Sequence, residues 1–173
     1  MYRLTDKTLR QKTIPFNFEN ADIDPKELYE NMADTMIKNK GMGLSANQVG
    51  FNYRMFVFGN PGARESIVGI FNPIIVDYSS GLCIMEEGCL SYPGLFVKIK
   101  RPEEIRVRVT DWQRNIDTFK LTGVSARIFQ HEFDHMEGIT FHSRASKIHL
   151  DQAKTQKKKL DRLRRKNAKR TSV

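Results

Sequence analysis

Apolar residues near the start of the chain recur at every fourth position. Leu28, Met32 and Met36 have this spacing, which places their side chains on one face of a helix. The preceding stretch, Asp24-Pro25-Lys26-Glu27, combines an N-cap residue, a proline at the first helical position and a glutamate that completes a capping box. The pattern therefore predicts a helix over about 25–39.

The middle of the chain contains short β-prone runs separated by turn residues. Arg106-Val107-Arg108-Val109 alternates polar and apolar positions, as a half-exposed strand does. Turn signals at 60–62 and 79–81 separate neighbouring runs. The predicted strands are 55–58, 67–71, 74–78, 95–100, 104–110 and 115–122.

Two further helices are predicted after the strands. Apolar residues at helical spacings between Gly123 and Gly138 predict a largely buried helix, with Gly138 as its left-handed stop. A long helix is predicted over about 148–168. Strands grouped in the middle with helices outside indicate an α+β fold. We expect short antiparallel sheets packed around the central helix, with an N-terminal helix and a long basic C-terminal helix.

The composition, 39% hydrophobic and 28% charged, is that of a soluble globular chain. No apolar run approaches the roughly 18 residues that a membrane span needs. Residues 1–6 contain no apolar signal core, so we expect a cytoplasmic protein. The two cysteines, Cys83 and Cys89, are too few for a disulfide framework, and in a reducing compartment a cysteine serves better as a metal ligand.

The net charge of +9 is concentrated in one segment. Residues 147–170 contain eleven Lys or Arg and two Asp, whereas eighteen basic and eighteen acidic residues balance in the rest of the chain. We therefore expect a neutral domain over 1–147, followed by a basic C-terminal helix and tail over 148–173. The tail is the candidate for contact with a polyanion.

His131-Glu132-Phe133-Asp134-His135 carries the clearest chemistry in the chain. Residues four apart in a helix lie one above the other, so His131 and His135 can offer imidazoles to one metal ion. Glu132 can then lie beside the ion without binding it and take a proton from a water molecule that the ion acidifies. The pattern predicts a hydrolytic metal site on the central helix.

A hydrolytic metal site commonly has three protein ligands and one open position, so a third ligand is required. His142 and His149 are candidates without a supporting pattern around them. Cys89 is better placed, at the centre of the glycine-flexed, turn-forming stretch 86–94. Cys83 lies in an apolar run and is typical of a small buried residue.

The segment 41–48, Gly-Met-Gly-Leu-Ser-Ala-Asn-Gln, has two interpretations. It is either a helix stop followed by a flexible loop, or a loop whose backbone lies close to a substrate. In the second case the Gln48 amide would donate a hydrogen bond to a developing oxyanion. The residues alone leave both interpretations open.

Three segments, 41–48, 87–91 and 131–135, resemble in order and separation the three signature motifs of peptide deformylases. Residues 4–10 resemble the family's opening segment in shortened form, and the basic end resembles the C-terminal helix of the bacterial type. The chain departs from the family at Ser45, where the family usually has alanine. We expect this departure to leave the metal ligands and the base untouched.

The resemblance implies a role for each matching residue. The metal ligands would be Cys89, His131 and His135. Glu132 would be the general base and then the acid, while Gln48 and the backbone N–H of Leu90 would hold the oxyanion. The implied cofactor is one divalent metal ion, ferrous iron in the cell, with zinc, nickel or cobalt able to substitute.

The reaction implied by the resemblance is hydrolysis of the N-formyl group from the initiator methionine of nascent polypeptides, with release of formate. An extended peptide would pair with the site's backbone like an added edge strand. Gly43, Leu44 and the Gly94 region would offer backbone groups to the peptide. Met42, Ile128 and the carbon stem of Glu86 are expected to form the wall of the methionine pocket, with ordinary core as their alternative. By the same resemblance, Glu87 and Arg101 would form a partly buried ion pair that holds the Cys89 loop to the next strand.

Two other functions compete with this interpretation. A zinc endopeptidase with the same helix motif would take a third ligand of another type and leave the Cys89 and Gln48 segments without a purpose. A nucleic-acid-binding protein with a closed structural metal site would need a fourth ligand, for which Cys83 is the candidate. Residues 154–170 contain no aromatic side chain for stacking on bases.

The resemblance to the bacterial type also implies a partner for the basic helix. The ribosome surface where nascent chains emerge is rich in RNA phosphate, so we expect the helix to dock there by counterion release. Its apolar stripe is thin, which predicts little packing on its own domain. The stripe consists of Leu150, Ala153, Leu160 and Leu163. A monomer without membrane contact is expected.

Overall fold

The computed structural model describes residues 2–5 and 8–170. In these residues there are three α-helices: α1 (Pro25–Lys38), α2 (Gly123–Met136) and α3 (Lys147–Arg170). The strands are β1 (Gly43–Ser45), β2 (Met55–Phe58), β3 (Val68–Tyr78), β4 (Leu82–Gly88), β5 (Phe96–Pro102), β6 (Glu104–Thr110) and β7 (Ile116–Thr122). Asp6 and Lys7 of the predicted opening segment, and 171–173 of the predicted tail, lie outside the described residues.

The strands form two antiparallel sheets, so the predicted α+β class is confirmed. The larger sheet has the order β1-β2-β3-β6-β7, and the smaller sheet pairs β4 with β5. In the larger sheet β1 is an edge strand, paired with β2 alone. The strand continues directly into a short 3-10 helix, Ala46–Val49.

The larger sheet is covered on both faces. All four residues of β2 are buried: Met55 and Val57 join the core beneath α1, whereas Phe56 and Phe58 join the core beneath α2. Alternation of side chains along a strand places the two pairs on opposite faces. The burial of β2 on both faces of the sheet therefore follows from a strand that is apolar at every position.

The helix α1 begins and ends as its sequence predicts. The Asp24 carboxylate accepts hydrogen bonds from the backbone N–H groups of Lys26 and Glu27, both at 2.9 Å. Leu28, Met32 and Met36 are fully buried on one face. The predicted helix over about 25–39 is confirmed to within one residue.

The strand predictions were right in place but wrong in two details. The runs 67–71 and 74–78 are one strand, β3, which bulges where its register with β6 shifts between Phe71 and Ile74. Asn72 has a left-handed backbone (φ 47°) there, and its side chain is held by hydrogen bonds with the backbone N–H and C=O of Phe16. The strands β1 and β4 were not predicted, because β1 is only three residues long and begins with a glycine, and β4 lacks a regular alternation of polar and apolar positions.

Helix α3 packs on its own domain over its first half, contrary to the expectation of little packing. Ala153 is buried and Leu150 is partly buried against a third core, which contains Val97 and Ile99 of β5. In the second half Leu160 and Leu163 are 44% and 48% exposed. Among the residues described, no helix is both long and apolar enough to cross a membrane.

Candidate metal centre

Helix α2 and the end of β4 bring three metal-ligating side chains together. The ligand atoms of Cys89, His131 and His135 all lie within 4.8 Å of one another. His131 and His135 project from successive turns of α2 with their ring centroids 4.6 Å apart. Cys89 follows the last residue of β4, so the smaller sheet places the thiol against the helix.

The distances and donor types of this trio fit a metal ion. Tetrahedral coordination with ordinary metal–sulfur and metal–nitrogen bond lengths places the two donor atoms roughly 3.5 Å apart. The Cys89 Sγ atom lies 3.6 Å from His135 Nε2. His131 Nδ1 is engaged by Glu87 and His135 Nδ1 by Ser45, which leaves the Nε2 atom of each ring for a metal.

The electrostatics of the trio favour a ligating thiolate. Burial raises the pKa of the Cys89 thiol, but hydrogen bonds with His131 and His135 outweigh burial and lower it to about 6. The pKa values of both histidines are raised, because hydrogen bonds with Cys89 and neighbouring carboxylates outweigh their burial. Binding of a metal must therefore displace imidazole protons, which makes metal affinity dependent on pH.

Within the described part of the chain, the other candidate ligands do not join the trio. His142 packs edge-on against Tyr92, with ring centroids 5.0 Å apart. His149 lies near the start of α3. Cys83 lies at the far end of β4, where its Sγ atom is 3.2 Å from an Arg127 amino group.

A buried ion network surrounds the trio. Arg101 donates from Nε and Nη2 to the two carboxylate oxygens of Glu87, at 2.7 and 3.0 Å. Arg127 also donates to Glu87, at 2.8 Å, and the second Glu87 oxygen faces His131 Nδ1 at 2.9 Å. Glu87 and Arg101 are only 5% and 6% exposed, so this pair is more deeply buried than its predicted "partly buried" state.

The pKa of Glu87 reflects this network. Burial raises the pKa, but hydrogen bonds from His131 and Arg101 lower it by more, to well below its ordinary value. The carboxylate therefore stays charged and holds the His131 ring in one orientation. Asp134 extends the network by accepting from Arg101 at 2.7 Å and from Arg144 at 2.6 Å.

The candidate base and oxyanion donor lie beside the trio. Glu132 is 3% exposed, and its carboxylate lies against Gly43, where a Cβ atom would collide with it. The Gln48 amide nitrogen points at Cys89 Sγ, at 3.4 Å, and at Ser91 Oγ, at 3.1 Å. The segment 41–48 therefore lies close to the site, as its second interpretation expects, but it forms the edge strand β1 and the start of the 3-10 helix instead of a loop.

The position of Ser45 differs from the expectation that serine at this site leaves the metal ligands untouched. Its hydroxyl lies 3.0 Å from His135 Nδ1, so this residue contacts a candidate ligand directly. The ligand atoms themselves are unchanged.

A cavity of about 700 Å³ opens over the trio. It is lined by Gln48, Cys89, Leu90, His131 and Glu132, together with five of the six predicted substrate contacts: Met42, Gly43, Glu86, Gly94 and Ile128. The Leu44 side chain does not reach it, because it is fully buried in the core beneath α1.

Sequence reasoning missed two charged participants, Arg127 and Asp134, and it named Ser45 without expecting the contact with His135. Arg127 lies one helical turn before His131, so the four-residue spacing could have placed it on the same face. Asp134 lies inside the motif itself. Phe96 and Val124 also line the cavity, and nothing local in the sequence marks them, because they meet there only through the packing of β5 and α2.

Comparisons with known proteins point to one family. The family profile of polypeptide deformylase matches residues 1–151. The chain is 40% identical over 144 residues to the chloroplastic peptide deformylase 1B of Oryza sativa, covering 82% of this chain and 52% of that protein. It is 40% identical over 139 residues to a peptide deformylase of Caldanaerobacter subterraneus, covering 80% and 84%.

A solved structure agrees with these sequence matches. The crystal structure of peptide deformylase from Thermotoga maritima superposes with a TM-score of 0.77 at 37% identity, covering 84% of this chain and 98% of that one. The chain spans between 52% and 59% of the length of the plant relatives that it matches.

Proposed function

This chain belongs to the peptide deformylase family, and we propose that it removes the N-formyl group from the N-terminal methionine of nascent polypeptides, with release of formate. One observation carries the proposal. Two imidazoles and a thiol converge within 4.8 Å, beside a buried glutamate and a glutamine amide that line the same cavity. Metal-assisted hydrolysis of a linear amide uses these parts: ligands for the ion, a base for the attacking water and a donor for the oxyanion.

The family is metal-dependent, and the trio fits a divalent ion. We propose ferrous iron in the cell, with zinc, nickel or cobalt able to substitute. When bound by Cys89, His131 and His135, the metal would acidify a water molecule and polarise the formyl oxygen. The neighbouring side chains would supply the proton transfer and the hydrogen bonds.

Glu132 would accept a proton from the attacking water and later protonate the leaving amine, which becomes the free N-terminus. Glu132 is buried against Gly43 and lines the cavity, so its carboxylate is held next to the space where the substrate would bind. Gln48 Nε2 and the backbone N–H of Leu90 would donate to the oxygen of the tetrahedral intermediate. Formate leaves with the original formyl carbon and one oxygen from water.

The free edge of β1 would bind the peptide. Because β1 pairs with β2 alone, an extended substrate could add beside Gly43 and Leu44 as a further strand. Leu44 would contribute through its backbone, since its side chain is buried. Met42, Glu86 and Ile128 line the cavity where the methionine side chain would lie.

Formate release tests the proposal. The metal-loaded protein should release formate from a formyl-Met peptide and should not cleave internal bonds of an unblocked peptide. Glu132→Gln should keep its metal and lose roughly 10²–10⁴-fold in rate, the usual contribution of a positioned acid or base. Cys89→Ala should lose metal and activity together. Internal cleavage without formate would indicate an endopeptidase instead.

We further propose that the exposed face of α3 binds the ribosome, with 1–147 as the catalytic domain and 148–173 as the docking helix and tail. Lys158, Arg162 and Lys166 are exposed at four-residue intervals and line one shallow surface of the helix. Phosphate contacts by these three residues would release counterions and make binding dependent on salt.

Charge reversal tests the docking proposal without disturbing the packed first half of α3. The triple variant Lys158→Glu, Arg162→Glu, Lys166→Glu should cosediment less with ribosomes at low salt and lower the salt-dependence slope by roughly two to three. The charge-matched control replaces Lys100, Arg106 and Arg108 by glutamate; these three residues are exposed on strands. If both triple variants lost ribosome binding equally, the effect would come from net charge alone and the docking proposal would fail.

The expected cytoplasmic location stays a prediction, since the plant relatives are named as chloroplastic or mitochondrial. The expected monomer likewise stays a prediction.

A further inference from the structure

Ser45 lies between a candidate metal ligand and the candidate oxyanion donor. It is the last residue of β1 and is fully buried. Its hydroxyl oxygen lies 3.0 Å from His135 Nδ1 and 3.1 Å from Gln48 Oε1. The backbone N–H of Ser45 donates to the same Gln48 oxygen, at 2.9 Å.

The direction of the hydrogen bonds follows from the chemistry of the ring. His135 Nε2 faces Cys89, and a ring that ligates a metal through Nε2 carries its hydrogen on Nδ1. The Nδ1–H group must therefore donate, and the Ser45 oxygen accepts. The single hydroxyl hydrogen of Ser45 is then directed at Gln48 Oε1, which is an acceptor.

This arrangement also determines which way the Gln48 amide faces. With two donors from Ser45 on Oε1, the amide nitrogen is turned towards Cys89 Sγ and Ser91 Oγ. A reversed amide would place an NH₂ group against two donors and is disfavoured. The Ser45 hydroxyl thus accepts from His135 and donates to Gln48 at the same time.

We propose that Ser45 is a positioning residue that couples the metal ligand His135 to the oxyanion donor Gln48. The only other acceptor described at His135 Nδ1 is Glu132 Oε2, at 3.3 Å. By taking this hydrogen, Ser45 leaves the Glu132 carboxylate available for the attacking water. The kinetic part of this inference rests on the proposed function, whereas the metal-binding part does not.

Ser45→Ala tests the inference with a variant that fits the fold, because alanine is smaller than serine and adds no atom to the buried site. Outer hydrogen bonds to a ligating histidine contribute about 10–100-fold to metal affinity. Because Glu132 remains as a second acceptor, we expect Zn²⁺ affinity, measured by competition with a chelator, to fall about tenfold. The control is Ser79→Ala, which removes a hydroxyl that also bridges two groups, Glu104 N–H and Gly81 C=O, away from the site.

The second readout is kinetic, at saturating metal. Ser45→Ala should lower kcat for a formyl-Met peptide about three- to tenfold with KM within about twofold, less than the 10²–10³-fold that loss of a whole oxyanion donor costs. In a Gln48→Leu background the part of the effect that acts through the Gln48 amide should vanish, so Ser45→Ala should lower kcat by a smaller factor than in the wild type, while its effect on Zn²⁺ affinity persists.

These outcomes separate the inference from its alternatives. Unchanged Zn²⁺ affinity and unchanged kcat, with only a lower Tm, would show that Ser45 merely caps the 3-10 helix, and the inference would be overturned. A change in one quantity alone would overturn the coupling. If the wild-type protein released no formate but Ser45→Ala still weakened Zn²⁺ binding, the proposed function would fail and the contact with His135 would stand.

Discussion

At the scale of single residues, the site depends on close approaches that a slightly larger side chain would destroy. Gly43 is the clearest case, because its Cα faces both the Glu132 carboxylate and the Ile128 side chain. The absence of a Cβ atom lets the edge strand lie directly against the carboxylate of the candidate base, Glu132. Glycine is therefore required here because neighbouring side chains lie too close for a Cβ atom. Its backbone conformation does not require it, since φ lies outside the left-handed region.

Gly43→Ala should displace Glu132 and reduce formate release by at least the roughly 10²-fold that a positioned base contributes. The new Cβ atom would lie 2.9 Å from both Glu132 Cδ and Ile128 Cγ2, too close for either to stay in place. Gly81→Ala is the matched control, since its Cβ atom would meet only the end of the Glu103 side chain, at 3.3 Å. Equal activities of the two variants would contradict the proposed place of Glu132.

Gln48→Leu separates a transition-state contact from a substrate contact. Loss of an oxyanion donor typically costs about 2.7–4 kcal/mol in the transition state. We expect kcat to fall by the corresponding 10²–10³-fold, while KM changes little, because the donor meets charge that develops only during reaction. A change confined to KM would make Gln48 a binding residue.

At the scale of elements, the metal centre is held where α2, β4 and β5 meet. Glu87 from β4 binds Arg101 from β5 and Arg127 from α2, and these three side chains are buried together. Breaking a buried ion pair by removing one partner leaves an uncompensated charge, which is far more costly than loss of a surface pair. The network therefore sets the position of Cys89 relative to the histidines.

Glu87→Gln should lower the free energy of unfolding by about 3–5 kcal/mol, because two buried guanidinium groups lose their carboxylate. Metal affinity should also fall, by about 10–100-fold, since His131 loses its outer partner. Glu104→Gln is the control: it breaks an exposed pair with Lys120 and should cost less than about 1 kcal/mol. Urea unfolding of both variants, with zinc titrations, measures these effects.

The first half of the C-terminal helix packs on the domain, whereas its second half is exposed. Deleting 148–173 removes Leu150 and Ala153 from the third core and should lower stability by about 2 kcal/mol, the scale of burying one aliphatic side chain. Deleting 162–173 leaves that packing intact and should change thermal stability little. Formate release should survive the shorter deletion fully. Identical melting curves for the two truncations would mean that the first half of α3 contributes no packing energy.

At the scale of the whole molecule, the metal would join parts of the chain that are distant in sequence. The larger sheet supplies Gly43 and Gln48 near its edge strand, the smaller sheet supplies Cys89, and α2 supplies both histidines. A ligand that binds only where these parts have met favours the folded state by mass action.

Removal of the metal should therefore lower the Tm. At a free metal concentration about 100-fold above the Kd, the stabilisation is about 2.7 kcal/mol. For a chain of this size that corresponds to roughly 5–10 °C, measured by differential scanning with and without a chelator. The chelator should have no effect on Cys89→Ala. A wild-type Tm indifferent to chelator would indicate that the trio does not hold the metal.

Much of this molecule could be predicted from local pattern. The spacing of Leu28, Met32 and Met36 determined α1, and the motif at 131–135 determined the helix and its two imidazoles, because both signals depend on residues within a few turns of each other. The separation of a neutral domain from a basic end is likewise a property of composition alone. Cys89 was selected from the stretch around it, and the family resemblance assigned its role.

Tertiary structure alone decided how these parts meet. Three arrangements depend on contacts between residues far apart in the chain. Arg127 and Asp134 join the Glu87–Arg101 pair, Ser45 lies between His135 and Gln48, and half of α3 packs on β5. Local periodicity records which face of an element is apolar, but it carries no information on which other element covers that face. That choice is made by the packing of the whole chain, which must bury its apolar surface and pair every buried charge at the same time.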